Sequence, residues 1–414
     1  MKYWYKLTED QRKERITTAL HENVNFSQDA SLGYPASRLD PRVFYDAPFL
    51  KDAPTLQTYV ANPNNIGCHT IGTSEKAFVG TQKIEQEVLQ IIAEDIFKAA
   101  PESYDGYISP GGTEANVQAI WMYRNYFMDV YSARLNEIAI VSSEDTHYSI
   151  AKASNILQVD WIKINVNEYK REVNESFLKN EISSAVTNGK KYFIVVCNMG
   201  TTMFGSVDDI ETYHQVMKDF AVQTKYHVDG AYGGFVYPFS NANCNLNFEH
   251  PLVDSITIDA HKMLQAPYGT GIFLCRKGFI SHVLTEEAAY VEGMDLTLCG
   301  SRSGANAVAV WMILHTYGAH GWFEKVSILQ MRTNFLCNRL NDLGVVYFRE
   351  PYMNIVTLHA SFVPDSIAEK YTLVPKEHGP DNQWYKIVVM EHVEVEHLEH
   401  FLTDLEASLA FMQS

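Results

Sequence analysis

Two residues, Asp229 and Lys262, carry the most chemical information in this 414-residue chain. Asp229 ends the apolar stretch of His227-Val228-Asp229-Gly230-Ala231. Lys262 follows another, Ser255-Ile256-Thr257-Ile258-Asp259-Ala260-His261-Lys262. A lysine amine can hold an aldehyde as a Schiff base, and a carboxylate against a pyridine nitrogen keeps that ring protonated and able to accept an electron pair. An acid at the end of one strand and a lysine just past another is what a pyridoxal phosphate site requires, and it points to chemistry on amino acids. The acid forms a charge-assisted bond and raises the proton affinity of the ring nitrogen. Ala231 is small enough to lie under the ring, while Asp259 and His261 flank the lysine and could reach a phosphate. The plainer alternative for Lys262 is a surface lysine. Ile256 and Ile258 before it, with Met263 and Leu264 after it, argue instead for a place near the core.

Further candidates lie upstream and downstream of this pair. Ser109-Pro110-Gly111-Gly112-Thr113-Glu114-Ala115-Asn116 reads as a glycine-rich turn opening a helix. Gly111 and Gly112 let the backbone approach an anion, the helix N-terminus supplies free N–H groups, and the Thr113 hydroxyl can add a bond. Alone such a turn is more often an ordinary helix start; upstream of the Asp/Lys pair it favours phosphate. In Asp145-Thr146-His147-Tyr148-Ser149-Ile150-Ala151-Lys152 the imidazole of His147 could stack on the pyridine ring, or be a satisfied structural histidine at a helix start. Thr202, in Asn198-Met199-Gly200-Thr201-Thr202, could bond the cofactor's phenolic oxygen or simply sit in a polar strand-end turn. Tyr290 lies in a polar, glycine-containing segment that suits a lid, from which it could donate a proton. The spacing His397-x-x-His400, with His392 nearby, raises a metal reading, but the interspersed glutamates look like a solvated helix face and no metal is expected.

The elements that must position these residues alternate. A helix is predicted over Gln11 to Leu20, another from Gln82 to Ala99 and a third from Thr113 to Val130. Short apolar strands are predicted at Ile138–Val141, Val159–Ile164, Tyr192–Cys197, His227–Val228, Ser255–Ile258 and Ile272–Cys275. Strand–helix alternation predicts an α/β fold with a mainly parallel, helix-covered sheet, whose ligand sits at the strands' carboxyl ends. After Asn306 the pattern changes to a long helical run, strands at Val345–Phe348, Ile355–His359 and Tyr385–Met390, and a last helix with Leu398, Phe401, Leu402, Leu405 and Leu409 on one face. The expected organisation is an N-terminal segment (1–65), a large cofactor-binding domain (66–304) and a smaller α+β domain (305–414).

Composition narrows the classes. Lys and Arg number 33 against 50 Asp and Glu, a formal charge of −17, with no basic cluster of the kind nucleic acid needs. The apolar runs are strand-sized, and the N-terminus lacks the apolar core of a signal peptide, so a cytoplasmic protein without membrane attachment is expected. Six scattered cysteines suit reduced thiols better than a disulfide framework.

In their order along the chain, these motifs resemble the group II pyridoxal-phosphate-dependent amino acid decarboxylases, a family of fold type I, the aspartate-aminotransferase-like architecture. The resemblance runs from about Gly33-Tyr34-Pro35 to Gly304 and includes Gly300-Ser301-Arg302-Ser303-Gly304, which is similar to the family's Gly-Ser-Arg-Asn-Gly. It implies that Lys262 carries the cofactor, that His147 stacks on its ring, and that Gly112, Thr113 and His261 bind its phosphate. It further implies that Ser301 reaches the phosphate of a partner subunit across a homodimer, that Tyr290 protonates Cα, and that Asn65 lies near the substrate carboxylate. The expected activity is decarboxylation of an L-α-amino acid to its amine and carbon dioxide, through a Lys262 Schiff base and a quinonoid. A carbon–carbon lyase of the phosphosphingolipid type, an aminotransferase and a non-catalytic cofactor-binding scaffold stay open as alternatives. The segment Ala266-Pro267-Tyr268-Gly269-Thr270-Gly271 departs from the histidine and serine enzymes of the family, and the residues single out no one amino acid.

Overall fold

The computed structural model describes residues 3–23, 76–286 and 292–413. Its centre is a seven-stranded sheet of β1 (Tyr104–Ser109), β2 (Ile138–Ser143), β3 (Asp160–Ile164), β4 (Tyr192–Asn198), β5 (Gln223–Asp229), β6 (Val253–Asp259) and β7 (Gly271–Arg276), in the order β1-β7-β6-β5-β4-β2-β3. Strands β3, β2, β4, β5 and β6 pair in parallel, and β7 alone reverses direction, since β1 is antiparallel to β7 and so runs the same way as the other strands. Parallel strands need crossover helices, which cover both faces and force the strands to be apolar throughout. The chain obeys this: β2 and β6 are buried along their whole length, and β4 from its second residue on.

The register sets up the site. Asn198 at the end of β4 pairs with Asp229 at the end of β5, and Asp229 pairs with Thr257, two residues before the end of β6. Three polar strand ends therefore open at one edge of the sheet. The helix Gly112–Tyr131 crosses one face and points its N-terminus at that edge. Its Ala115, Ile120, Met122, Tyr123 and Phe127 join Ile140, Ile194 and Val196 of the sheet in one core layer. Ile84, Val88 and Ile92 pack with Val195, Val228 and Ile256 on the opposite face. The helix Val79–Gln90 passes into a π-helical turn, Ile91–Ile96, where a plain helix is predicted to Ala99.

A second sheet, β10 (Val374–Pro375), β11 (Trp384–Val388), β9 (Ile355–His359) and β8 (Tyr347–Phe348), is antiparallel throughout and packs with the helix Val395–Gln413. The helix Gly304–Asp342 serves both cores. Its Trp311, Leu314, Trp322 and Leu329 belong to the large core, while Leu336 and Leu340 belong to the small one. It kinks at Gly318, whose φ of 63° suits glycine, and a Cβ there would come within 2.8 Å of the Lys6 backbone nitrogen. The N-terminal residues ahead of the first helix slot into this kink, with Leu7 N–H donating to the His315 carbonyl at 2.9 Å and the Trp4 indole to the Leu314 carbonyl at 2.8 Å. Among the described residues no helix is long and apolar enough to cross a membrane, and no cluster of His, Cys, Asp and Glu could hold a metal ion.

Candidate active site

Asp229 is buried at the sheet edge, 6% exposed, with each oxygen already anchored. Oδ2 accepts from the Asn116 side-chain amide at 2.8 Å, and Oδ1 from the Ala231 backbone N–H at 3.1 Å. A carboxylate oxygen has room for a second donor, so the group is held in place without being saturated. Behind it lies His227, fully buried, which meets Asn116 Oδ1 at 2.9 Å and Ser255 Oγ at 2.7 Å. Burial lowers the pKa of this imidazole to about 4, so it is neutral at ordinary pH.

Lys262 stands just past the end of β6, and its Nζ lies 2.9 Å from Asp259 Oδ2. Asp259 Oδ1 accepts the Gly112 backbone N–H at 2.5 Å. One buried carboxylate therefore ties the lysine to the N-terminus of the helix Gly112–Tyr131, where the dipole favours negative charge. The turn before that helix needs glycine: Gly111 has a φ of 126°, and a Cβ on Gly112 would sit 2.9 Å from both Asp259 oxygens. His261 turns beside this turn and donates from Nδ1 to the Thr270 carbonyl at 3.0 Å.

His147 is held by its own loop. Asp145 forms a buried bidentate pair with Arg171, with contacts at 2.5–2.8 Å, and the guanidinium lies 3.9 Å over the Phe204 ring. Two residues on, His147 Nδ1 meets Ser149 Oγ at 2.9 Å and the Ser149 N–H at 3.3 Å, so the ring caps the helix Ser149–Leu157. Its pKa is lowered, first by burial and further by the Lys262 ammonium, while Asp229 pulls the other way.

These groups share one cavity of about 150 Å³, lined by His147, Thr202, Asp229, Ala231 and Lys262 together with Asn198, Tyr232, Ile355, Lys386 and Val388. The last three come from the second sheet, so the cavity lies between the two lobes. Lys386 donates to the Thr202 carbonyl at 2.9 Å, and its pKa is lowered by burial and then by Lys262. Of the residues singled out in the sequence, Gly111, Gly112, Thr113, Asp259 and His261 form the adjoining helix-start cluster rather than the cavity wall. Ser301 is exposed on the turn before Gly304, next to Arg302, which is buried in an ion pair with Glu85. Tyr290 and Asn65 lie outside the described residues. Asn116, Tyr232 and Lys386 were not singled out. Asn116 carried no local signal, because Thr113, Glu114 and Gln118 are equally polar neighbours on the same helix.

The donor set fits pyridoxal phosphate. An amine and an anchored carboxylate with spare acceptor capacity face a volume on the scale of one aromatic ring. Beside it, a helix start with Thr113 and His261 is chemically suited to phosphate. Comparison with known proteins agrees. A family model described as the pyridoxal-dependent decarboxylase conserved domain matches residues 42–351. A tryptophan decarboxylase from Clostridium sporogenes is 50% identical over 406 residues, covering 98% of this chain and 97% of that one. An L-aspartate decarboxylase from Thermococcus kodakarensis is 33% identical over 343 residues, covering 79% and 82%. Among solved structures, L-methionine decarboxylase from Streptomyces sp.590 superposes with a TM-score of 0.70 at 20% identity, covering 97% and 95%.

Proposed function

This chain belongs to the pyridoxal-dependent decarboxylases, fold-type-I enzymes that use pyridoxal 5'-phosphate to decarboxylate amino acids, and from that premise we propose how its residues divide the work and which substrate it takes. The observation that carries the assignment is the convergence of Lys262, Asp229 and His147 on one cavity. Bound pyridoxal phosphate supplies an aldehyde for the amino group and a ring that accepts the electron pair left when carbon dioxide departs.

Lys262 is the attachment residue, and Asp259 holds its Nζ in place at 2.9 Å. Asp229 holds the proton on the ring nitrogen, fixed for that task by Asn116 and the Ala231 N–H. His147 covers the ring as a neutral imidazole, because its burial disfavours the cation. Thr113 and His261 take the phosphate, since the Gly112 N–H is already held by Asp259. Thr202 closes the cavity beneath the second sheet. Tyr290 as the proton donor to Cα, Asn65 at the substrate carboxylate, and Ser301 reaching the partner's phosphate in a cytoplasmic homodimer complete the proposal.

The substrate we propose is an aromatic L-amino acid, tryptophan first. The support is the 50% identity to a tryptophan decarboxylase over nearly the whole chain, whereas the aspartate decarboxylase is 33% identical. Tyr232, Ile355 and Val388 add apolar and aromatic wall to the cavity. The test is carbon dioxide release by purified enzyme from tryptophan, tyrosine, phenylalanine, aspartate, glutamate and methionine. Preference for tryptophan is expected, and preference for aspartate or methionine would overturn the assignment. Lys262→Ala should abolish both carbon dioxide release and the bound cofactor's visible absorbance; release at the wild-type rate would refute its role.

A further inference from the structure

We propose that Asn116, backed by His227, is the positioning residue that locks Asp229 and His147 into one hydrogen-bonded unit, fixing the direction of every proton between them. The inference rests on the reading of Asp229 as the partner of the ring nitrogen and goes beyond it. An ionised carboxylate only accepts hydrogen bonds. The Asn116 edge lying 2.8 Å from Asp229 Oδ2 must therefore be its NH2. The same nitrogen lies 2.8 Å from Ser149 Oγ, so its second hydrogen goes there. Ser149, now an acceptor, has its own hydrogen free for His147 Nδ1 at 2.9 Å. The Ser149 backbone N–H reaches that same ring nitrogen at 3.3 Å. His147 Nδ1 is thus the acceptor, and the neutral ring carries its hydrogen on Nε2.

The other side of Asn116 follows the same logic. With NH2 spent on Asp229 and Ser149, its carbonyl oxygen faces His227 Nε2 at 2.9 Å, so that nitrogen must be N–H. His227 Nδ1 then accepts from the Ser255 hydroxyl at 2.7 Å. Asn116, Ser149, His227 and Ser255 are each at most 1% exposed, so bulk water has no access to replace a missing partner. Buried networks of this kind stabilise one arrangement when complete and fail as a unit when a member is lost. The single charge of Asp229 dictates the polarity of the chain from Ser255 to His147. Asn116 also lies on the helix whose N-terminus Asp259 ties to Lys262, so one rigid element reaches both ends of the lysine–carboxylate pair.

The test uses full-length enzyme, with and without pyridoxal phosphate. Histidine nitrogen shifts by NMR in the cofactor-free wild type should show His147 and His227 both as Nε2–H tautomers; Nδ1–H at either residue would overturn the proposal even if no variant folds. In Asn116→Ala, His147 should lose its single tautomer, cofactor affinity should fall about tenfold, and kcat should fall roughly 10- to 100-fold with KM within about threefold. His227→Gln, which keeps an N–H for the Asn116 carbonyl, should retain most of kcat, whereas His227→Leu should not. An Asn116→Ala enzyme with unchanged His147 tautomer and cofactor affinity would refute the positioning role. Asp229→Asn separates the two levels. If it leaves affinity and kcat intact, the underlying reading of Asp229 fails; if it is damaging while Asn116→Ala is silent, only the present inference fails.

Discussion

The floor and the roof of the cavity are built on opposite plans. The floor, around Asp229, Asn116, His227 and Ser255, is a buried polar network in which each group has a hydrogen-bond partner within 3.1 Å. The roof, from β9 and β11, offers Ile355 and Val388 as apolar wall and one cation, Lys386, bonded to a single backbone carbonyl. Floors of the first kind allow one arrangement, because each buried donor or acceptor left unmatched costs about 1–3 kcal/mol. Roofs of the second kind tolerate exchange of side chains, since an apolar wall is read only by size and shape. The contrast assigns cofactor chemistry to the floor and substrate choice to the roof.

The floor should break first and hardest. Asp229→Asn keeps the shape of the side chain and removes its charge, and with it the force that holds a proton on the ring nitrogen. Activity should fall by about 10³-fold, equivalent to about 4 kcal/mol of lost transition-state stabilisation, with KM for the amino acid changed far less. Steady-state kinetics on the purified variant checks this. A fall confined to KM would mean that the carboxylate serves substrate binding instead.

The floor also predicts an acid-sensitive stability. His227 has an ordinary pKa near 6.5 when unfolded and about 4 in the fold. Between those values the unfolded chain takes up a proton that the native protein refuses, so stability is intact above about pH 6.5 and is lost as pH falls toward 4. For this one group the loss between pH 7.5 and pH 5 comes to about 2 kcal/mol. His227→Gln removes the titration and should flatten that part of the curve. Urea unfolding midpoints of wild type and variant at the two pH values measure it, and equal losses in both proteins would count against the neutral, buried imidazole.

Legibility in the sequence divides along the same line. The parallel strands could be read because burial on both faces makes them continuous apolar runs, as in Tyr192–Asn198 and Val253–Asp259. β1, Tyr104–Ser109, was not predicted: its Asp105 and Gly106 look like a turn until Asp105 is seen to accept the Gly278 N–H at 2.6 Å and Gly106 to lie against Phe273. Asp229, Lys262 and His147 announced themselves because each sits in a local motif at a strand end. Asn116 and His227 did not, because their meaning lies in contacts between residues 111 to 113 positions apart. Lys386 was less visible still: β11 was predicted as a strand, but nothing local says which of its side chains faces a carbonyl 184 residues away.

Lys386 is where the roof can be tested most directly. Its ammonium lines the same cavity as Lys262, and burial together with the Lys262 charge lowers its pKa below that of an ordinary lysine. Two cations share the cavity, but Lys262 is already paired with Asp259 at 2.9 Å, whereas Lys386 bonds a neutral carbonyl. A carboxylate entering the cavity therefore finds in Lys386 a cation with no anionic partner among the described residues. Lys386→Met keeps the length and apolar stem and removes the charge. KM for the amino acid should rise about tenfold, the worth of one partly exposed charge-assisted bond, while kcat moves by less and cofactor affinity not at all. Because the lysine loses its proton sooner than usual as pH rises, the gap in KM between wild type and variant should narrow on the alkaline side. An unchanged KM at neutral pH would leave Lys386 as a strut holding β11 to Thr202, and the roof would then choose substrates by shape alone.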